Sequence, residues 1–367
     1  MAKILFIHPS VELYGADKIL LYILEILSEK KHELTVLLPK DGVLVSYIKN
    51  ISSDIKIVTD ERLPIAHSKL GLKDYISLPK KIRQIEKLFP KNSFDIVYCN
   101  TLATVLLLYT NWSKKRILHV HEIIENKLLN LAFSFLLRFR TKNVICVSSR
   151  VKNNLLFSKK YSVVHNGIPD LAESDLQNEV SDVVQFALPG RFMPKKGQWF
   201  LIEALKLLPK DYLEKIHVSL YGSPPPNRME YQDELKEAVK KAGVDSVVSI
   251  KTFTSDISQI YKAANVILVP SLMADPFPTT VLESLMFLRP VITTNNGGAV
   301  EILDETYAKV ISPNDTESFS EALKFFVNDQ RKITTMGKLA RKKYEDYLTI
   351  KNFESRFLEF LQLEALC

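Results

Sequence analysis

Cysteine is scarce in this chain of 367 residues: there are three, Cys99, Cys146 and Cys367. None stands in a CxxC pair and three make no paired framework, which excludes a disulfide scaffold, a zinc ribbon and thioredoxin-type chemistry. Long apolar runs are missing too. The first, Ile4 to Ile7, is far too short for a signal peptide, and no segment reaches the ~18 apolar residues of a membrane span. The longest apolar tract, Leu128 to Leu137, is interrupted by Asn130 and Ser134 and reads as a core helix. A cytoplasmic location is the expectation. With 46% hydrophobic and 25% charged residues the composition is that of a globular protein, so disorder and collagen are out. The length suggests two or three domains with ample chain for a core.

Acid is short in the first half. Residues 1–170 carry 26 Lys/Arg against 15 Asp/Glu, whereas residues 171–367 carry 23 against 27. The net charge of +7 thus belongs wholly to the first half. A positive half favours phosphate-bearing partners or an anionic membrane surface, and a solvated basic face is the plain alternative. Basic residues cluster at Lys69, Lys73, Lys80, Lys81, Arg83, Lys87 and Lys91, and again at Lys114, Lys115 and Arg116.

What is present in quantity is alternation of strand and helix. Ile4 to Ile7 reads as a buried strand, and Ile19, Ile23, Ile26 and Leu27 place one apolar face on a helix over 15–30. Further strands are predicted at Glu33 to Leu38, Phe94 to Cys99, Arg116 to His121, Val144 to Val147 and Tyr161 to His165. A polar stretch, Asp170 to Asp182, reads as a linker. The alternation restarts at Val183 and continues to Ile311, with helices following to Tyr347 and a last amphipathic helix from Asn352 to Leu363. Such alternation implies βαβ units and parallel sheets. The expected architecture is α/β, two doubly wound Rossmann-like domains facing a common cleft, with ligands at the carboxyl ends of the strands. The domains expected are 1–172 and 173–347, with 348–367 a helix packing back on the first.

Four segments carry candidate chemistry. Pro270 to Leu285 runs from a strand through a Pro-rich loop into a helix. Asp275 sits in the loop, Thr279 and Thr280 suit helix capping, and the open N–H groups there would attract an anion. Glu283, one turn in, suits a vicinal diol such as ribose; a solvated helix glutamate is the bland reading. Gly190 to Gly197 follows a strand and brings Arg191 and Lys196, a planar fork and a point charge, to the level of a diphosphate. His8 to Asp17 forms the first strand–helix loop, with Gly15 at the helix start; it does not match G-x-G-x-x-G. His119 and His121 end a strand, and His121 would bind a substrate hydroxyl or act as a base. A metal bound by this pair has no carboxylate or cysteine cluster to complete it, so none is expected.

Taken together, the order of these segments resembles glycosyltransferase family 4, retaining, nucleotide-sugar-dependent enzymes of the GT-B fold. The family's paired acids, a glutamate and a second one eight positions on, stand here as Asp275 and Glu283. Val147-Ser148, Asn166-Gly167-Ile168, Gly190-Arg191, Lys196-Gly197, Tyr221-Gly222, Arg289-Pro290-Val291 and Gly297-Gly298 follow the same pattern in order. There are departures. Asp275 replaces a glutamate, Tyr14-Gly15-Ala16-Asp17 stands for Gly-Gly-x-Glu, Thr254-Ser255 lacks a glycine, and Leu288 occupies a position often held by glycine.

The resemblance implies an acceptor domain followed by a donor domain. Arg191 and Lys196 would hold the donor diphosphate, helped by Gly15, Gly222, Thr279 and backbone N–H groups at Thr280 and Val281. Glu283 would bind ribose, Asp275 the sugar ring and His121 a sugar hydroxyl. It further implies a hexosyltransferase acting on a glycan or lipid-linked acceptor in bacterial surface polysaccharide assembly. No metal or other cofactor, and no nucleic-acid partner, is expected. An epimerase or phosphorylase on the same architecture, or a silent nucleotide-sugar-binding protein, are the alternatives; no lysine-centred pyridoxal signal supports a phosphorylase.

Overall fold

A computed structural model describes residues 1–65, 72–141, 143–173, 176–179 and 181–362. Lys69, one of the clustered basic residues, and the chain beyond 362 lie outside the described residues, and the side chain of Lys73 is not described. Two compact units result: residues 1–166 with 350–367, and residues 167–349. The first boundary falls earlier than the expected 172, for a local reason. Ile168 N–H donates to the Leu348 carbonyl at 3.0 Å, and Tyr344 OH donates to the Ile168 carbonyl at 3.0 Å. Residues 167 onward therefore start the second unit.

The first unit holds one sheet of seven parallel strands. These are β1 (Lys3–Ile7), β2 (Glu33–Leu38), β3 (Lys56–Thr59), β4 (Ile96–Asn100), β5 (Lys115–Val120), β6 (Asn143–Cys146) and β7 (Ser162–Val163). Their order is β3-β2-β1-β4-β5-β6-β7, so the direction of winding reverses between β1 and β4. Both faces of a parallel sheet are covered, which is why β1, β2 and β4 read as almost unbroken apolar runs. β3 escaped the sequence reading because it is four residues long, at the sheet edge, with no buried residue. Its helices are α1 (Gly15–Glu29), α2 (Val43–Ile51), α3 (Leu72–Ile85), α4 (Lys127–Arg140) and α5 (Ser149–Asn154).

The second unit holds six parallel strands in the order β10-β9-β8-β11-β12-β13. They are β8 (Val184–Pro189), β9 (Ile216–Tyr221), β10 (Val248–Lys251), β11 (Val266–Val269), β12 (Val291–Thr294) and β13 (Ala308–Ile311). Around them lie α6 (Gln198–Leu205), α7 (Lys210–Leu213), α8 (Tyr231–Lys241), α9 (Ile257–Lys262), α10 (Thr279–Met286), α11 (Thr316–Asn328) and α12 (Arg331–Lys343). Described residues of the stretch read as a linker are pinned to this unit. Asn178 is buried and donates to the carbonyls of Asn265 and Leu288, both at 3.0 Å, and Asp170 pairs with Arg341 at 2.5 Å.

The last helix, α13 (Ile350–Leu361), belongs to the first unit. Phe353, Phe357, Phe360 and Leu361 join the core formed by Ile4, Phe6, Val36, Ile96 and Tyr98. Phe357 meets Tyr98 edge-on, ring centroids 6.2 Å apart. Lys30 and Glu354 pair at 3.0 Å beside that contact, tying α13 to the end of α1.

Candidate functional site

In the second unit the site is built where β8 and β11 end side by side. The strands pair in register, Val266 with Phe186 and Ile267 with Ala187, so the loops that leave them are neighbours. The loop after β8 carries Arg191 and Lys196; the loop after β11 carries Asp275. Main-chain bonds lock the two together. The Leu272 N–H donates to the Lys195 carbonyl at 2.8 Å and the Met273 N–H to the same oxygen at 3.4 Å, while the Gly298 N–H, from the segment after β12, donates to the Asp275 carbonyl at 2.8 Å. Gly197 is required here. It is left-handed (φ 87°), and a Cβ on it would stand 2.0 Å from the Pro270 carbonyl oxygen. Gly222 serves in the same way, since a Cβ there would meet the Gly190 carbonyl oxygen at 2.0 Å and push apart the loops after β8 and β9.

Lys196 Nζ and Asp275 Oδ2 lie 2.6 Å apart. The sequence reading gave these two residues separate tasks on separate segments; the fold makes them an ion pair. Both keep partial exposure, 31% and 16% of their side chains, so an anion can approach the ammonium while the carboxylate holds it in place. The Arg191 carbonyl accepts from Gln198 Nε2 at 3.0 Å, which fixes the main chain of that loop.

At the start of α10 the structure corrects two expectations. Thr279 and Thr280 do not cap the helix: Pro278 is the N-cap residue and makes no side-chain bond, so the threonines are the first two helical residues. Nor is the Val281 N–H open, because it donates to the Pro278 carbonyl at 3.1 Å. The N–H groups of Thr279 and Thr280 remain those that the helix itself cannot satisfy. Glu283 is buried (8% exposed) rather than solvated, and Tyr261 OH donates to its Oε2 at 2.6 Å. Burial, reinforced by the Glu283 charge, holds the Tyr261 hydroxyl well above its ordinary range, so it stays a donor. Tyr261 is set by stacking on Phe287, centroids 5.2 Å apart, and by Arg289, whose Nε donates to the Tyr261 carbonyl at 2.7 Å. Leu288, in the glycine-favouring position, has φ 58°. It is the left-handed residue that follows the C-cap of α10.

In the first unit, polar residues gather at the carboxyl ends of β1, β4 and β5, at the reversal of winding. His8 follows β1, Asn100 ends β4 and His121 follows β5. Asn100 Nδ2 donates to His8 Nδ1 at 2.9 Å and reaches the Ala16 carbonyl at 3.4 Å, which fixes the amide's orientation. Asn100 Oδ1 must then accept from His121 Nε2, 3.0 Å away. His8 Nε2 in turn lies 2.5 Å from Asp17 Oδ1, and the Tyr14 N–H donates to Asp17 Oδ2 at 2.6 Å. Burial raises the Asp17 pKa, but the hydrogen bonds from His8 and Tyr14 outweigh it and leave the carboxyl below its ordinary value. The chain of bonds settles the tautomer of His121: the proton sits on Nε2, and Nδ1 is the acceptor.

The His121 and His119 rings meet at a tilt of 46°, centroids 4.0 Å apart, and both are neutral. Burial pushes His119 down to about 3 and His121 well below its ordinary value, the latter helped by the two neighbouring histidines. His121 is thus a neutral hydrogen-bonding imidazole and not a cation. Tyr98 OH lies 2.8 Å from His119 Nδ1. Glu122 Oε2 accepts the N–H groups of His121 at 3.0 Å and Leu102 at 3.1 Å, and burial raises its pKa despite those bonds. Gly15 is the first residue of α1, beside the Asp17 carboxylate. Among the described residues no group of three His, Cys, Asp or Glu is placed to hold a metal ion.

His8, Asp17, Asn100, Tyr261 and Gln198 were not among the residues selected from sequence as binding or catalytic. A signal existed for two of them. His8 and Asn100 are each the polar residue that ends an apolar strand run, which in a parallel sheet is the ligand-facing position.

The comparisons agree over almost the whole length. Residues 14–170 match the family described as Glycosyltransferase Family 4, and residues 174–343 match Glycosyl transferases group 1. The chain is similar to the UDP-Gal:alpha-D-GlcNAc-diphosphoundecaprenol alpha-1,3-galactosyltransferase of Escherichia coli, 24% identical over 370 residues, 93% of this chain and 92% of that protein. It is 23% identical over 203 residues to a lipopolysaccharide 1,2-N-acetylglucosaminetransferase of Salmonella typhimurium, 53% of this chain and 52% of that protein. Among solved structures, Anabaena HepE in complex with UDP and glucose matches with a TM-score of 0.80 and 18% identity, over 99% of this chain and 100% of that one. With one glycosyltransferase family matched by each half, and two parallel-sheet units of GT-B type, the chain belongs to the GT-B glycosyltransferases.

Proposed function

We propose that this glycosyltransferase retains configuration, moving a hexose from a nucleoside-diphosphate sugar to a glycan or lipid-linked acceptor. We place the reaction in bacterial surface polysaccharide assembly, at the cytoplasmic face of the membrane. The single observation that carries the reading is the Lys196–Asp275 pair at 2.6 Å, on the strand-end loops beside the start of α10. A cation, a helix N-terminus and a buried carboxylate at Glu283 are the three groups that a diphosphate and a ribose diol call for.

In this reading Arg191, Lys196 and the N–H groups of Thr279 and Thr280 take the diphosphate, and Gly222 and Gly15 allow main chain near the nucleotide and its phosphates. Glu283, held by Tyr261, accepts from ribose hydroxyls. Asp275 takes a hydroxyl of the sugar, and His121 Nδ1 accepts from another. The bond from the anomeric carbon to the diphosphate breaks, and a bond to the acceptor oxygen forms on the same face. The acceptor proton goes to the departing phosphate oxygen, so no side-chain base is needed. Catalysis is positioning and stabilisation of the charge that develops on the leaving group. Arg191 and Lys196 supply that stabilisation, and we expect transfer to survive a chelator. The relatives support the acceptor class: the E. coli protein is named for a diphosphoundecaprenol acceptor and the Salmonella protein for lipopolysaccharide.

The test is a panel of nucleotide sugars offered with lipid-linked and free glycan acceptors, the product's anomeric configuration being read by NMR. Retention is expected. An inverted product, or donor epimerisation without transfer, would overturn the reading.

A further inference from the structure

Helix α4 shows water an apolar stripe. Its protein-facing side holds the polar Asn130 and Ser134, both buried. Asn130 Nδ2 donates to the Asn154 carbonyl at 2.6 Å, and Ser134 Oγ accepts from the Leu156 N–H at 2.9 Å. Its solvent-facing side holds Leu128 (79% exposed), Leu131, Phe135 and Phe139 (71% exposed). The sequence reading made this tract a core helix; the fold buries only Phe133 and Leu137 among its large apolar side chains. The outer stripe is extended by Leu156 and Phe157, also exposed, with the Phe135 and Phe157 rings 5.6 Å apart. Surface helices normally show water their polar face, and an apolar patch of this kind marks a partner.

The charge around the patch says which partner. Residues 126–160 contain eight Lys or Arg and no Asp or Glu. The Arg138 guanidinium lies over the Phe157 ring, 4.8 Å from its centroid, and Lys159 and Lys160 are exposed beside it. A second copy of the chain would set this basic surface against itself. An anionic lipid surface complements both the charge and the apolar stripe. From Leu128 to Phe139 the stripe runs about 16 Å along one helix face, at ~1.5 Å per residue, which suits a helix lying in the plane of an interface. No described helix is long and apolar enough to cross a membrane, so the contact is with the surface.

We infer that the outer face of α4, with Leu156 and Phe157, is the surface by which this protein docks on an anionic bilayer. The inference deepens the reading of a lipid-linked acceptor but is tested without acceptor or donor. The full chain is sedimented with vesicles of phosphatidylcholine alone or mixed with phosphatidylglycerol, at low and high salt. Preferential binding to the anionic vesicles, weakened by salt, is expected. The double variant Phe135→Ser, Phe139→Ser should lower partitioning by about tenfold or more, since two large apolar side chains leave the lipid. Its nucleoside-diphosphate affinity, measured by calorimetry, should not change, which separates loss of docking from loss of the donor site. In a Phe139→Trp variant, the emission gained over the parent chain should shift to the blue on binding and be quenched by brominated lipid. Absence of binding to anionic vesicles, binding that the double serine variant leaves intact, or added indole emission in the Phe139→Trp variant that lipid leaves unmoved would each overturn the inference. So would a concentration-dependent dimer in sedimentation equilibrium that the serine variant dissolves, because the face would then belong to a second copy.

Discussion

The Lys196 ammonium already has an anion before any donor arrives. Asp275 Oδ2, 2.6 Å away, competes with a phosphate for the same three N–H donors. Lys196→Ala should therefore weaken nucleoside-diphosphate binding by about tenfold or more, at ~1.5–3 kcal/mol for a hydrogen bond to a charged group. Asp275→Asn should do the reverse, tightening nucleoside-diphosphate binding because the competing charge is gone, while transfer falls. Calorimetry and turnover on the two variants check this, and weaker binding in the asparagine variant would mean that Asp275 positions Lys196 more than it competes. A second residue-scale outcome concerns Leu288. With φ 58° it carries a strain that glycine would not. Leu288→Gly should raise the stability of the second unit by about 1 kcal/mol, read by denaturant unfolding; an unchanged midpoint would show that Leu288 side-chain packing offsets the strain.

At the scale of elements, α13 decides whether the first unit has a complete core. Phe353 and Phe357 are fully buried, and Phe357 closes over Tyr98. Removing a buried phenylalanine typically costs ~3–5 kcal/mol. Phe357→Ala should lower the unfolding transition of the first unit by that order and leave that of the second unchanged, in differential scanning calorimetry. Equal shifts in both transitions would mean that the units unfold as one. α1 shows how an element places a site: Asp17, in its first turn, accepts from the Tyr14 N–H and pairs with His8 at the end of β1, so helix start and strand end are one rigid piece.

At the scale of the molecule, burial of its histidines makes the first unit sensitive to acid. An unfolded histidine binds a proton near its ordinary 6.5, but folded His119 does so only at about 3. Between those values the unfolded state holds more protons, so stability falls as pH falls. One pKa unit corresponds to about 1.4 kcal/mol, so the loss across this window reaches a few kcal/mol. His121 acts in the same direction. Asp17, held below its ordinary value, adds a loss at still lower pH, as the folded carboxyl itself protonates. The first unit's unfolding temperature should drop on going from neutral pH toward 4, and His119→Gln should flatten that slope. A slope unchanged in the variant would remove burial of His119 as its source.

Much of this could be derived from the chain alone, for a physical reason. Parallel strands are buried on both faces and helices on one, so β1, β2, β8 and α1 announce themselves as runs and periods. Loops at strand ends announce themselves by the polar or glycine residue that stops the run, which placed Arg191, Lys196, Asp275 and His121, and Glu283 lies one turn into the helix that leaves such a loop. Tertiary structure decided what those patterns do not encode. Which side chain meets which depends on neighbours far apart in sequence: Lys196 and Asp275 are 79 positions apart, His8 and Asn100 are 92. Burial of Glu283 depends on Tyr261, which stands on another helix. The face that α4 presents was likewise undecidable from a helix apolar on nearly every side. Only its packing, with Asn130 and Ser134 turned inward to bond main-chain groups near Asn154 and Leu156, left its leucines and phenylalanines to the outside.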